Sequence, residues 1–403
     1  MRNYKIFLLV LILSPFVFSF AFGLDIYIPI VPQMTQIFDT SPAMIQLTLS
    51  LFLLMTGAGQ LFIGPLSDRW GRKAIFYGAA ICYTVGSLIC AFSTEIIELI
   101  IARLICSLGA CGMLVNSFAI VRDLYSDEQS ARVYSYLNGA IGISPTLAPI
   151  IGGYLAVALG WQSIFYFLAC IGGLAYLITK YCIDETLPKN KRIKNHSHIF
   201  SRYKKIFCER QFIVHALMAG LAEGVFFCFF SISPFIIIEL LNVPTHEFGY
   251  YFAVFGCVIG LGGFASGKII ERKSVSYTIR LGITLMFAGG LIMLIWYYLN
   301  GLSLSGFLIP MVIACTGAMF LVGSSASSAL DSFAAMAGTA SAAFGAVEFG
   351  VSAAIGSLLM AFPIHSTIPY GISIIFMAIL SLSLYSIRKA PERFVASDYA
   401  STP

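Results

Sequence analysis

Between two long apolar runs the chain reads Gly64-Pro65-Leu66-Ser67-Asp68-Arg69-Trp70-Gly71-Arg72-Lys73. Three basic side chains and an aspartate within one short stretch stand out, because charge is scarce elsewhere. Only 11% of the 403 residues are charged, against roughly 25% in a soluble domain. Hydrophobic residues make up 59% and mean hydropathy is +0.89. With 24 basic and 19 acidic residues, the chain cannot wet the surface of a soluble protein of this length. That excludes an ordinary soluble enzyme, a disordered chain and a nucleic-acid binder. A helical membrane span needs about 20 apolar residues, so there is room for about a dozen.

Working outward from this stretch, apolar runs alternate with polar punctuation. They predict spans at about 6–30, 43–65, 74–93, 97–121, 134–158 and 162–183, then 212–238, 248–267, 277–298, 305–329, 335–361 and 367–387. Six precede and six follow a basic stretch, giving an N-terminal half (1–183), a cytoplasmic linker (184–211) and a C-terminal half (212–403). Charge placement tests the count. With the N-terminus inside, the inside segments hold Arg2 and Lys5, then Arg69, Arg72 and Lys73, then Arg122 and Arg132. The linker and its edge hold Lys180, Lys189, Lys191, Arg192, Lys194, Arg202, Lys204, Lys205 and Arg210. Lys268, Arg272, Lys273, Arg280, Arg388, Lys389 and Arg393 complete 23 of the 24 basic residues. The opposite loops carry Asp39, Glu95, Glu98, Glu239 and Glu247 but no Lys or Arg. This is the positive-inside pattern, and it predicts a multi-pass membrane protein with both termini cytoplasmic.

Other signals are weaker. The ten cysteines form no CxxC pair and sit in apolar runs, as small hydrophobes do. Arg2 and Lys5 before an apolar run and Ser19-Phe20-Ala21 imitate a signal peptide, but removing that span would reverse the charge pattern, so it is expected to stay. Gly262-Gly263-Phe264-Ala265-Ser266-Gly267-Lys268 imitates a P-loop. Ile269 stands where Ser or Thr is needed and the context is a membrane helix, so no ATP site is expected. His196 and His198 belong to the basic linker. No metal or catalytic cluster is legible, and no cofactor is expected.

The opening stretch resembles the signature cytoplasmic loop of the major facilitator superfamily. Further motifs narrow the branch: Leu24-Asp25-Ile26-Tyr27-Ile28-Pro29, Arg122-Asp123-Leu124-Tyr125, Ala148-Pro149-Ile150-Ile151-Gly152-Gly153, Phe248-Gly249-Tyr250-Tyr251-Phe252 and Met336-Ala337-Gly338-Thr339-Ala340-Ser341. Together they resemble the Bcr/CflA branch, the bicyclomycin and chloramphenicol resistance exporters. The resemblance covers nearly the whole chain. It implies an all-α membrane protein with the major facilitator fold, 12 transmembrane helices in two pseudo-symmetric six-helix halves. It also implies proton-driven drug export across the bacterial inner membrane by alternating access, with small molecules, protons and lipids as partners and a monomer as the working unit. Two six-span halves suit a rocking transporter with a midplane site. The same machine dedicated to a siderophore, sugar or amino-acid derivative is the alternative, and proton-coupled uptake is a third reading.

Four ionisable residues fall inside predicted spans: Asp25, Arg103, Glu223 and Glu348. Charge there is costly and usually faces a cavity or a partner. Asp25 and Arg103 each lie roughly 8–9 Å from the outer end of their predicted spans, so they can pair. The resemblance supports proton coupling by both, with Asp25 carrying the proton and Arg103 as its counter-charge; a permanent Asp25–Arg103 tie is the competing reading. The family's span-four motif usually has a polar residue three places after the arginine, where Cys106 stands here. Glu223 and Glu348 are not inherited from the branch. Beside Tyr27 and Phe226, they are candidates to bind a cationic substrate or to serve as extra proton sites; local hydrogen bonding beside small residues such as Ser352 is the competing reading.

The signature stretch is expected to act as a conformational latch. Asp68 would pair with a basic side chain or accept from a helix N-terminus across the interface between halves, Arg69, Arg72 and Lys73 would meet Asp123, Asp127, Glu128 or lipid phosphates, and Gly64 and Gly71 would permit close backbone approach. In span five, Gly142, Pro145, Pro149, Gly152 and Gly153 are expected to form a bending, closely packed helix.

Overall fold

A computed structural model describes residues 6–125, 127–188, 192, 199–362 and 364–387. Arg2, Lys5, Lys189, Lys191, Lys194, His196, His198, Arg388, Lys389 and Arg393 lie outside them. Among the described residues every regular element is helical, and twelve segments are long and apolar enough to cross a membrane. Backbone in lipid must satisfy itself, which leaves the helix as the economical form for such runs. The outer surface is apolar, with Leu261 71% and Phe376 63% exposed, as a lipid-facing exterior requires.

The helices of the first half are α1 (Ile6–Asp25), α2 (Val31–Ile37), α3 (Pro42–Trp70), α4 (Arg72–Phe92), α5 (Ile96–Leu124), α6 (Asp127–Leu159) and α7 (Gln162–Tyr181). A short α8 (Ile199–Cys208) leads into α9 (Arg210–Pro234), α10 (Thr245–Arg272), α11 (Val275–Asn300), α12 (Leu304–Leu330), α13 (Ala337–Leu359) and α14 (Ile368–Ser386). Polar caps define several starts. Ser41 Oγ accepts from the Met44 N–H, and Glu95 with Glu98 forms a capping box at α5.

The first span is longer than its hydropathy suggested. It runs from Ile6 to Ile37 and is broken in the middle, with α1 ending at Asp25 and a 3-10 turn at Ile28–Ile30 before α2. The sequence explains the break. Pro29 has no N–H to give the Asp25 carbonyl four residues back, and Pro32 repeats the omission for Ile28. Asp25 therefore sits at a break inside the first span, with α2 continuing beyond it. The second span also outruns expectation: α3 continues through Ser67, Asp68 and Arg69 to Trp70. Gly71 alone, at φ +100°, turns the chain into α4. The P-loop imitation lies inside α10 as ordinary helix.

Within the first six spans α4 packs on α5 and α7, and α1 on α5, α6 and α7; within the last six, α11 packs on α12 and α14, and α9 on α12 and α14. The two sets meet mainly along α3–α13 and α6–α10. The α6–α10 seam is tight. A Cβ at Gly256 would lie 3.0 Å from Thr146 N, one at Gly249 2.6 Å from Ile150 Cα, and one at Gly153 2.9 Å from the Thr245 carbonyl. These contacts lie in the half of α6 remote from the linker, called the far end below; the end bearing the linker is the basic end. No Cβ contact forms at Gly139 or Gly142. Pro145 and Pro149 lie within α6 without interrupting it.

Candidate functional site

The break in the first span presents Asp25 at a helix end, 4% exposed. Ser144 of α6 donates to Asp25 Oδ2 at 2.9 Å. Two turns further along α6, Gly152 lets the Ile26 carbonyl approach so closely that any Cβ would collide with it. Thus α6 grips the break at two points, one polar and one steric. Ser144 was not legible as a partner, because a lone serine in an apolar helix carries no signal of its own.

Arg103 of α5 is fully buried but does not meet Asp25. Among the described residues no ion pair joins them. The guanidinium instead donates from Nη1 to the Gly23 carbonyl at 2.6 Å and from Nε to the Thr48 carbonyl at 3.4 Å. It stacks 4.4 Å from the Phe52 ring and 5.3 Å from the Tyr27 ring, as cations do over aromatic faces. Among the described residues Arg103 Nη2 has no hydrogen-bond partner. The direct Asp25–Arg103 pair expected from the sequence is therefore absent, and so is the permanent tie. Cys106 stands beside Ser87 Oγ (3.4 Å) and donates to the Tyr83 carbonyl (3.7 Å), so its thiol finds local partners.

The two glutamates belong to the second half. From Met218 to Ile237 every residue of α9 and the turn that follows is buried except Glu223, which is half-buried. Glu348 on α13 is also half-buried. A Cβ at Gly220 would lie 2.7 Å from Val351 Cβ and 3.3 Å from the Glu348 carbonyl, so α9 and α13 touch one turn from Glu223. Glu223 is within electrostatic range of both Glu348 and Asp25. Among the described residues neither glutamate has a hydrogen-bond or cationic partner. Three acids thus share the middle of the bundle, while the cation there is committed to carbonyls.

Tyr27 is fully buried between Arg103 and Phe165. Phe226 is 4% exposed and packs edge-on against Phe255 of α10, 5.4 Å between centroids. Both are packed into protein as they stand.

The signature residues form a network at the basic end. Arg72, 2% exposed, bonds Asp68 (2.7 Å), Asp123 Oδ2 (2.9 Å) and Ser67 Oγ (2.8 Å). Its N–H donates to Glu185 Oε1 (2.9 Å), and Asn116 donates to its carbonyl (3.2 Å). Ser67 in turn donates to Asn116 Oδ1. Thr186 donates to Asp123, and Arg192 to Glu185. Gly71 is required, since a Cβ there would strike the Glu185 carboxylate. Gly64 faces open space and does not make the close approach expected of it; Arg69 is exposed, and among the described residues Asp123 pairs with Arg72 rather than with Arg69. The expected reach of Asp68 across the halves is not made either: it pairs with Arg72, one turn on in its own half. Glu185, Thr186, Ser67 and Asn116 were missed, for they are ordinary residues whose roles appear only when distant segments meet.

At the far end two bonds cross between the halves. Gln46 donates to Ser231 Oγ (2.7 Å), and the Tyr154 and Tyr250 hydroxyls lie 2.7 Å apart.

Comparisons with known proteins agree on the architecture. A family model described as Major Facilitator Superfamily matches residues 13–357. A chloramphenicol resistance protein of Pseudomonas aeruginosa is 29% identical over 389 residues, covering 96% of this chain and 92% of that protein. A bicyclomycin resistance protein homolog of Haemophilus influenzae is 29% identical over 356 residues, covering 86% and 87%. The crystal structure of a D-xylose-proton symporter superposes with a TM-score of 0.77 at 13% identity, covering 94% of this chain and 98% of that one.

Proposed function

The chain belongs to the major facilitator superfamily, and from that premise we propose that this membrane transporter exports small amphipathic drugs or toxic compounds in exchange for protons. The first and last six spans act as two halves, 1–183 and 212–403, that expose a midplane site to each side in turn. The basic end faces the cytoplasm of a bacterium, across its inner membrane, in line with the charge asymmetry. The full-length similarity to relatives named for chloramphenicol and bicyclomycin resistance supports the export of antibiotic-like molecules.

The observation that carries the reading is Asp25: a buried carboxyl at a helix break, held by a neutral serine and not by the nearby arginine. A carboxyl so placed can change protonation without breaking an ion pair. Arg103 retains an unused Nη2 donor, so a shift of the break toward it supplies the counter-charge when the proton leaves. Ser144 links this exchange to α6, the helix that seals the far end against α10. Glu223 and Glu348 face the substrate, and Phe226, three residues after Glu223 and on the same side of α9, adds apolar contact. Tyr27 holds Arg103 in place. A monomer contains every group required.

The test is Asp25→Asn in proteoliposomes with an imposed pH gradient. Uphill transport driven by protons is expected to vanish while downhill substrate exchange persists. Normal proton-driven export by well-folded Asp25→Asn protein rules the assignment out.

A further inference from the structure

Pro65 lies inside α3, within the signature stretch. It has no N–H for the Leu61 carbonyl four residues earlier, so that carbonyl lacks its usual helical partner. The structure supplies another: the Tyr203 hydroxyl of α8 donates to the Leu61 carbonyl at 3.0 Å. Burial pushes the Tyr203 phenol up to about 12, so the donor keeps its hydrogen at every physiological pH.

The bond joins different parts of the molecule. α8 packs on α9 and α13. Ile206 is fully buried in a cluster with Phe212 and Phe333, and ring contacts, tilted then edge-on, run from Tyr203 through Phe207 and Phe212 to Phe333. By these contacts α8 belongs to the second half, while Leu61 belongs to the first. Resting on the alternating-access reading above, we infer that Tyr203 is a positioning residue of the transport cycle: its bond to the proline-freed Leu61 carbonyl clasps the two halves at the basic end and must break for that end to open. The proline creates the vacancy and the tyrosine fills it, so the clasp is specific to one atom.

Hydrogen–deuterium exchange on the full-length protein in nanodiscs, without substrate or pH gradient, tests this independently of what is exported. Tyr203→Phe keeps the ring and removes the donor. It is expected to raise exchange at the basic ends of α3 and α13 by roughly fivefold, the scale of one net hydrogen bond. It should also lower exchange at the far-end seam of α6 and α10, as the equilibrium moves to the state open at the basic end. Pro65→Ala returns an N–H to α3 and removes the vacancy, and it is expected to shift exchange in the same direction. Adding Tyr203→Phe to Pro65→Ala is expected to change nothing more. Faster exchange confined to α8, no reciprocal change at the far end, or full additivity of the two substitutions overturns the clasp. A pump that fails to export drugs yet shows the reciprocal shift contradicts the export reading and leaves the clasp standing.

Discussion

Glu223 is the one half-buried residue in the otherwise buried run from Met218 to Ile237. Among the described residues it has no hydrogen-bond or cationic partner, and α9 touches α13 beside the Glu348 carbonyl one turn away. On the transport reading proposed above, it meets the substrate. A carboxylate at such a place attracts a cation strongly because little water screens the pair. Glu223→Gln is expected to reduce export of cationic compounds roughly tenfold or more and to leave neutral compounds nearly unaffected, measured as resistance across a matched panel in a pump-deficient host. Equal losses for both classes would remove the charge role. The four intramembrane ionisable residues could be read from the sequence because each is so expensive in lipid. Their partnerships could not. Depth along a span says nothing of which way a helix is turned, so Arg103 was matched to Asp25 when Gly23 and Thr48 hold it. Ser144, the group that does hold Asp25, looks like any other serine in a membrane helix.

At the scale of elements, hydropathy located all twelve spans but not their ends. It records where lipid stops, and helices continue beyond lipid. Hence α3 carries the signature stretch to Trp70, and the stretch is a helix end with a one-residue turn rather than a loop. The first span runs on past Pro29 for the same reason, with a break that the prolines themselves announce. The network around Arg72 depends on this geometry: α3 delivers Ser67 and Asp68, α5 delivers Asn116 and Asp123, and the chain after α7 delivers Glu185 and Thr186. Asp123→Asn leaves Arg72 buried with one fewer anionic partner. Because Asp68 and Asp123 are partly exposed (side chains 32% and 16%), the loss is expected to be about 1–3 kcal/mol. A lower unfolding temperature in detergent checks it, and an unchanged one would mean the network carries no stability.

At the scale of the whole molecule, the far-end seam between α6 and α10 is the contact that a rocking motion has to part. A Cβ built at Gly256 lies 3.1 Å from Thr146 Cβ, short of the roughly 3.5–4.5 Å that a disulfide spans, so the seam has to yield by a few tenths of an ångström to admit the bond. The double substitution Thr146→Cys and Gly256→Cys, with the accessible native cysteines replaced, is therefore expected to cross-link on mild oxidation. Transport should stop when the link forms and recover with a reductant. Undiminished transport by fully cross-linked protein would show that this seam stays shut throughout the cycle.

The stretch around Glu185 has a mechanical consequence. Glu185, Thr186 and Arg192 are moored to the first half, and α8 to the second. Only about seven residues of chain, from Arg192 to Ile199, connect the two moorings, with a maximum reach of about 24 Å. Packed helices sit about 8–10 Å apart, so the number of residues alone permits the two moorings a displacement of that order. Lengthening it would leave the stroke alone; the stops of the machine are its seams and bonds, not its covalent thread.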